Sequence, residues 1–256
     1  MTAGRAVAAW LAVAALGAVV TGCGADTEPH TATDARTPTP APAPQTAPDA
    51  TRAPAPAAAA LKPPLAMHVR RRTQLRASPG GRVLATLKTR TEFKSPTILS
   101  VAARKPGWVL VRTSVPKHHV GWVPVSSGAL FREPRSIVID LSQRTLSVYH
   151  QGRRTRRYRV VIGAKATPTP IGRFAITDRL TVKPGTPYGC CILALTAHQP
   201  KIAQGWGGGD RVAIHATPDT WALGKAVSHG CIRASNAALH QLMRQMRLGA
   251  PVTVRA

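Results

Sequence analysis

Closely spaced turn signals constrain the fold of this chain more than any other feature of its sequence. From Leu65 onward, short runs of β-branched and aliphatic residues, such as residues 108–111 and 211–215, are separated by turns that contain Gly or Pro. Runs of this length suit strands, because an amphipathic helix needs about ten or more residues. We therefore predict a mainly β protein.

Residues 65–128 are predicted to form a small β-barrel. They carry a Gly-Trp-Val-Leu-Val strand at residues 107–111 and a Gly-Trp-Val-Pro ending at residues 121–124. These features resemble bacterial SH3-like domains, which commonly bind cell wall or pack beside a catalytic domain. Trp108 and Trp122 fit two interpretations: they line a ligand groove, or they pack in the barrel core or between domains.

Residues 135–256 keep the β pattern and add one clear helix. This helix is predicted over residues 236–248, where apolar side chains repeat at helical spacing: Leu239, Leu242, Met243 and Met246. Ser235 or Asn236 can cap its start, and Gly249 is a helix terminator. We expect a β-sandwich-like domain with one or two helices.

Residues 1–23 have the pattern of a bacterial export signal. Arg5 precedes an apolar run of about fifteen residues, too short for a comfortable membrane span, and Gly22-Cys23 follows. This ending resembles a lipobox, which implies a lipidated Cys23 that anchors the exported protein to the outer face of the cytoplasmic membrane. An ordinary cleaved signal is the alternative. Residues 24–64, rich in Ala, Pro and Thr, are predicted to be a disordered tether.

The positive charge of the chain is concentrated in its predicted folded part. Of the 35 Lys/Arg and 10 Asp/Glu residues, residues 65–134 carry 13 against 2 and residues 135–256 carry 18 against 4. Such a surface favours polyanions, among them anionic lipid headgroups and anionic cell-wall polymers. A solvated basic surface without a dedicated ligand is the other interpretation. Nucleic acid is not expected, because no binding motif accompanies the charge.

A cysteine and a histidine form the candidate reaction centre. Cys231 lies in a Ser-His-Gly-Cys turn, and His215 ends an apolar run 16 positions earlier. A free thiol has a pKa near ~8.5, so it needs a base such as His215 or oriented N–H groups around His229 and Gly230. An inert buried cysteine is one alternative. A zinc site of His215, His229 and Cys231 is another, although no familiar zinc-ligand spacing supports it.

The residues of this centre resemble the signature of the YkuD-type L,D-transpeptidase catalytic domain. The resemblance rests on Ile214-His215 and on Ser228-His229-Gly230-Cys231-Ile232-Arg233 with Asn236. Further matching segments extend it over about residues 135–256: residues 137–142, 160–163, 167–174, 188–189 and 249–252.

The resemblance implies a cell-wall enzyme that acts on peptidoglycan stem peptides without a cofactor. Cys231 would be the nucleophile and His215 the general base, with His229 on the substrate or oxyanion side. The remaining predicted site residues would shape the turn or bind substrate: Ser228, Gly230, Arg233, Asn236 and Tyr188. An L,D-carboxypeptidase that uses water as acceptor and a non-catalytic wall-binding lipoprotein remain open.

The chain departs from the family pattern at two places. Ala216 stands where the family usually has Gly after the base histidine. If the carbonyl there orients His215, Ala preserves this role unless the backbone requires positive φ. The adjacent Cys190 and Cys191 are also unexpected. We predict two buried thiols rather than a vicinal disulfide, and a bond from one of them to Cys231 is a further hypothesis.

Overall fold

The structure is a computed structural model that describes residues 64–183 and 185–256. The predicted export signal, the lipidated Cys23 and all of the predicted tether except its last residue lie outside the described residues. No helix within the described ranges is long and apolar enough to cross a membrane.

A seven-stranded antiparallel sheet occupies residues 65–132, with strand order β3-β2-β6-β5-β4-β1-β7. Its strands are β1 (Leu65–Val69), β2 (Thr73–Arg76), β3 (Val83–Leu87), β4 (Ile98–Lys105), β5 (Trp108–Arg112), β6 (Val120–Pro124) and β7 (Gly128–Arg132). Alternate residues such as Val109 and Val111 are fully buried, as a half-covered strand requires. Trp108 and Trp122 are both half-buried. The likeness of this sheet to SH3-like domains stays a prediction.

An eight-stranded mixed sheet follows, with order β10-β9-β8-β17-β12-β13-β14-β16. Its strands are β8 (Arg135–Asp140), β9 (Thr145–His150), β10 (Arg153–Arg159), β12 (Gly172–Thr181), β13 (Cys191–His198), β14 (Arg211–Thr217), β16 (Ile232–Ser235) and β17 (Pro251–Arg255). Two of its pairings are parallel, β8 with β17 and β14 with β16. A separate parallel pair is formed by β11 (Ile162–Gly163) and β15 (Ala226–Ser228). The prediction of a mainly β fold is confirmed.

Strand β12 joins the two halves of the eight-stranded sheet. Residues 172–175 pair with β17, residues 176–181 pair with β13, and the register shifts between Ile176 and Asp178. Because one strand serves both halves, their apolar faces enclose a common core. Its fully buried members come from both halves: Ile137, Leu146 and Val252 on one side, and Leu193, Ile214 and Ile232 on the other.

The helix α1 spans Asn236–Gln245 and packs on the core of this sheet through Leu239 and Leu242. Ser235 caps it, because its Oγ accepts a hydrogen bond of 3.2 Å from the N–H of Ala238. The helix ends three residues earlier than predicted, since Met246 has an extended backbone with φ −84° and ψ 145°. It is the one α-helix within residues 64–183 and 185–256.

We expect Leu239→Ala to lower the free energy of unfolding by about 2–5 kcal/mol, because it opens a cavity in a fully buried site. Urea denaturation followed by circular dichroism measures this change. Arg244→Ala on the exposed face of the same helix is the matched control and should change stability little. Equal losses for both variants would contradict the packing described for α1.

Candidate active site

The parallel pairing of β14 with β16 brings the two parts of the Cys/His signature together. Ile214 pairs with Ile232 and His215 pairs with Arg233. Both isoleucines point into the main core, so the residues that alternate with them point to the opposite face. On that face Cys231 packs with Ala213 in a separate small cluster. The nucleophile and the base predicted from sequence therefore share one face of two neighbouring strands.

The Cys231 side chain is buried, and its residue is only 2% exposed. Its Sγ accepts a hydrogen bond from the Ala213 N–H at 3.4 Å and donates one to Gln204 Oε1 at 3.2 Å. Burial raises the pKa of the Cys231 thiol to about 11, and the opposing effects of the Ala213 N–H and the Arg233 charge are smaller. The Cys231 thiol is therefore protonated at neutral pH.

His215 is equally buried, at 2% exposure, and its ring is held from one side. Nδ1 lies 2.7 Å from the Ala216 carbonyl oxygen. A carbonyl can only accept, so Nδ1 carries the proton and Nε2 keeps its lone pair. Burial lowers the pKa of His215 to about 4, and the Arg233 charge acts in the same direction, while the Ala216 carbonyl opposes it. His215 is thus a neutral base whose free nitrogen is Nε2.

The departure at Ala216 leaves this arrangement intact. Ala216 is absent from the residues with positive φ, so its backbone conformation is open to any amino acid. Its carbonyl provides the contact expected of the glycine that the family usually has. Ala216 is therefore compatible with an oriented base.

The turn over residues 228–231 is fixed by hydrogen bonds to all four of its carbonyl groups. The donors are Ala164 N–H and Thr167 Oγ1 to Ser228, Gln204 Nε2 to His229, Thr169 Oγ1 to Gly230, and Ser228 Oγ to Cys231. Gly230 has φ +108°, where a side chain would be strained. Its N–H donates to Ser228 Oγ, which leaves the N–H groups of His229 and Cys231 as candidates for an oxyanion.

The side chains of His229 and Arg233 differ in their placement. His229 is exposed, and its backbone carbonyl is what ties it to the site. Arg233 is half-buried on the face of Cys231 and His215, and its Nε has no hydrogen-bond partner among the described residues. No carboxylate within those ranges forms an ion pair with it. Arg233 therefore offers a free positive charge beside the thiol.

Tyr188 packs against the small cluster that contains Cys231, and Asn236 bonds to the segment that follows Tyr188. The Tyr188 ring packs edge-on against the His215 ring, with centroids 4.8 Å apart. Asn236 Oδ1 accepts a hydrogen bond of 2.9 Å from the Cys190 N–H. Between them, Gly189 has φ +60°, and a Cβ there would lie 2.5 Å from both Ala216 Cβ and Asn236 Oδ1. Asn236 thus positions the segment that carries Tyr188.

The prediction of two buried thiols at Cys190 and Cys191 is wrong. The two residues form a vicinal disulfide, Cys190 is half-buried, and Cys231 is the free cysteine within the described ranges. The reason is local: Cys190 ends a turn and Cys191 begins β13. The side chains therefore need not alternate as they would within one strand. A bond between Cys231 and either of them is absent from the structure.

The structure does not group His215, His229 and Cys231 as metal ligands. The one cluster of three potential ligands in the described part of the chain is Cys190, Cys191 and His240, and its two sulfur atoms are bonded to each other. A zinc centre built on the thiol turn therefore has no geometric support.

Gln204 is a site residue that the sequence analysis missed. Its amide bridges the thiol and the turn, because Oε1 accepts from Cys231 Sγ while Nε2 donates to the His229 carbonyl at 3.0 Å. The available signal was its position just before the glycine-rich residues 205–209, a composition typical of a loop. That loop does reach the site, since Trp206 packs against the Cys231 cluster.

A loop of the seven-stranded sheet supports Trp206 from outside. Phe93, between β3 and β4, stacks on the Trp206 ring with centroids 5.4 Å apart. Its neighbour Glu92 pairs with the buried Arg211 at the start of β14, and Thr91 donates to the buried Asp178 on β12 at 2.5 Å. The wall of the thiol site is therefore built partly by the N-terminal sheet.

Residues 134–254 match the family model of the YkuD L,D-transpeptidase catalytic domain. Two curated proteins, from Bacillus licheniformis and Bacillus subtilis, are named as candidate L,D-transpeptidases of the YkuD type and are 34% and 32% identical over 121 residues. The matched stretch is 47% of this chain and 66% of each relative, so the likeness concerns the C-terminal half. L,D-transpeptidase 3 from Mycobacterium tuberculosis aligns over 75% of this chain and 98% of its own, at 15% identity and TM-score 0.45.

We expect Arg233→Gln to raise the pKa of both Cys231 and His215, because the Arg233 charge lowers each of them. Alkylation of Cys231 by iodoacetamide at about pH 8 should slow severalfold, since only the thiolate reacts. Mass spectrometry of the labelled peptide gives the rate, and an NMR titration gives the pKa of His215. The exposed Arg247→Gln is the control. Faster alkylation in Arg233→Gln would contradict this account.

We expect Phe93→Ala to speed alkylation of Cys231 by about two- to tenfold, because an aromatic pair contributes ~0.5–1.5 kcal/mol that holds Trp206 over the thiol. The rate is measured at one fixed pH, and circular dichroism confirms that the variant is folded. Phe93→Tyr keeps the stacked ring and should behave like the parent protein. An unchanged rate in Phe93→Ala would show that this loop does not control access.

Proposed function

We propose that this chain is an L,D-transpeptidase of peptidoglycan. One observation carries the proposal: a buried thiol and a buried, oriented imidazole share a strand face inside the region that matches the catalytic-domain family. Cys231 would attack the carbonyl of the third residue of a tetrapeptide stem and release the terminal D-Ala. The thioester would then pass to the side-chain amine of an acceptor stem, giving a cross-link between two third residues.

The charge states of the two groups define how the attack proceeds. Both are neutral in the resting protein, since burial places the pKa of Cys231 at about 11 and that of His215 at about 4. A preformed thiolate–imidazolium pair is therefore disfavoured. His215 Nε2 takes the thiol proton as sulfur bonds to the carbonyl carbon, and the same proton goes to the D-Ala amine when the C–N bond breaks.

Other groups at the site would bind the substrate and the developing charge. The N–H groups of His229 and Cys231 are candidates for the oxyanion, with the turn held rigid by its bonded carbonyls. Arg233 has no carboxylate partner within the described residues and suits a stem-peptide carboxylate. In the second half of the reaction, neutral His215 accepts the proton of the incoming amine and returns it to the Cys231 sulfur as the C–S bond breaks, which restores the thiol.

We also propose that the enzyme works outside the cytoplasm. The sequence pattern of residues 1–23 supports export and lipid attachment at Cys23, and residues 24–64 would tether the folded part to the membrane. Stem peptides of the cell wall are the acyl donors in that space. The N-terminal sheet, which is predicted to be SH3-like, would be held beside the catalytic domain by contacts such as the Glu92–Arg211 ion pair.

Mass spectrometry of tetrapeptide-stem muropeptides incubated with the purified protein tests this function. We expect D-Ala release and dimers linked between third residues, and Cys231→Ala should abolish both. Cys23→Ser is the control, since it removes a cysteine outside the matched region and should retain activity. Tripeptide monomers without dimers would overturn transfer in favour of an L,D-carboxypeptidase. If the muropeptides are unchanged, the proposed enzyme activity would be overturned and a non-catalytic wall-binding protein would be favoured.

A further inference from the structure

Strand β10 carries the densest positive charge of the described residues. Five of its seven residues are arginines, Arg153, Arg154, Arg156, Arg157 and Arg159, and all five side chains are exposed. The strand forms one edge of the eight-stranded sheet, with β9 as its neighbour. Its outer side therefore faces solvent.

This charge is not neutralised by acidic residues nearby. Neither β10, β9 nor the adjacent helix α1 contains Asp or Glu. The closest acidic residue in sequence, Asp140, is bound to Arg255 on β17. Arg157 donates to Gln143, but a neutral amide leaves its charge in place. The strand thus presents several uncompensated guanidinium groups.

A β-bulge aligns three of these arginines. Arg154 lies opposite Tyr149 and Arg157 lies opposite Ser147, and the register shifts between Arg154 and Arg156. Without the extra residue, Arg154 and Arg157 would point to opposite faces, because side chains alternate along a strand. With it, Arg154, Arg157 and Arg159 form a row on one face, at a spacing of roughly 7 Å.

The opposite face of the strand is basic too. Arg156 lies opposite Val148, on the side of the sheet core. Together with Arg135 and His150 it lines a groove of about 480 Å³ beside the bulge. A ligand that follows the edge would meet positive charge on both sides.

These features favour a linear polyanion over a membrane surface. Peripheral membrane segments combine basic residues with exposed apolar ones. None of the large exposed apolar residues of the described part belongs to β9 or β10: Val83, Val120, Ile171, Trp221 and Val227. Trp221 and Val227 flank Gly224, which contacts Arg159 at one end of the row. The basic residues of the strand are all arginine, whose forked donors match phosphate oxygens, and none is lysine.

We propose that the row Arg154, Arg157 and Arg159 binds a linear phosphodiester polymer that lacks bases, of the polyol-phosphate type. The row lies on the edge strand β10 and includes none of the residues of the thiol turn. The inference is independent of the catalytic function proposed above.

Binding of the full-length protein to fluorescent poly(glycerol phosphate), measured by anisotropy at several salt concentrations, tests this surface. The triple variant Arg154→Gln, Arg157→Gln, Arg159→Gln is compared with Arg70→Gln, Arg71→Gln, Arg72→Gln. The three control arginines are also exposed, and their substitution removes the same charge beside the other sheet. Circular dichroism confirms that both variants are folded.

We expect the β10 variant to lose at least tenfold in affinity at moderate salt and the control to lose much less. The slope of log K against log salt should fall by about 2, because each lost phosphate contact accounts for ~0.7. Equal losses in the two variants would overturn the assignment, since net charge alone would then explain binding. Tighter binding to oligo-dT, polyglutamate or phosphatidylglycerol vesicles would overturn the proposed ligand class. Neither result depends on muropeptide turnover.

Discussion

The parallel pairing of β14 with β16 is the constraint on which the site depends. Ile214 and Ile232 are fixed in the common core, and this fixes which face His215, Cys231 and Arg233 share. A shift of one residue in that pairing would exchange the core and site faces of β16. The positions of His215, Cys231 and Arg233 are thus set by the packing of the neighbouring isoleucines in the core. Their hydrogen bonds then fix the orientation of the side chains.

Desolvation is the second determinant of the chemistry. It acts in opposite directions on the two reacting groups, raising the pKa of Cys231 and lowering that of His215, so that both stay neutral. The cationic Arg233 lowers both values, but its effect is smaller than that of burial. The site therefore keeps its thiol protonated in the resting state.

Local patterns in the sequence predicted the strands, the capped helix and the Cys231–His215 pair, because each depends on residue spacing or on a short signature. Gln204 was not predicted because it lies 27 residues from Cys231 in the sequence. Phe93 was not predicted because its contact with Trp206 joins two different sheets. The vicinal disulfide escaped because it depends on where β13 begins. The alignment of the β10 arginines likewise required the bulge, which an arginine-rich sequence does not reveal.

The position of β17 has a consequence for the order of folding. This strand follows all others in the chain, yet it lies between β8 and β12 in the middle of the sheet. The two halves of the sheet cannot be joined between β8 and β12 until β17 has been synthesised. The domain therefore has to fold late, through contacts between distant parts of the chain, which favours slow folding and one cooperative transition.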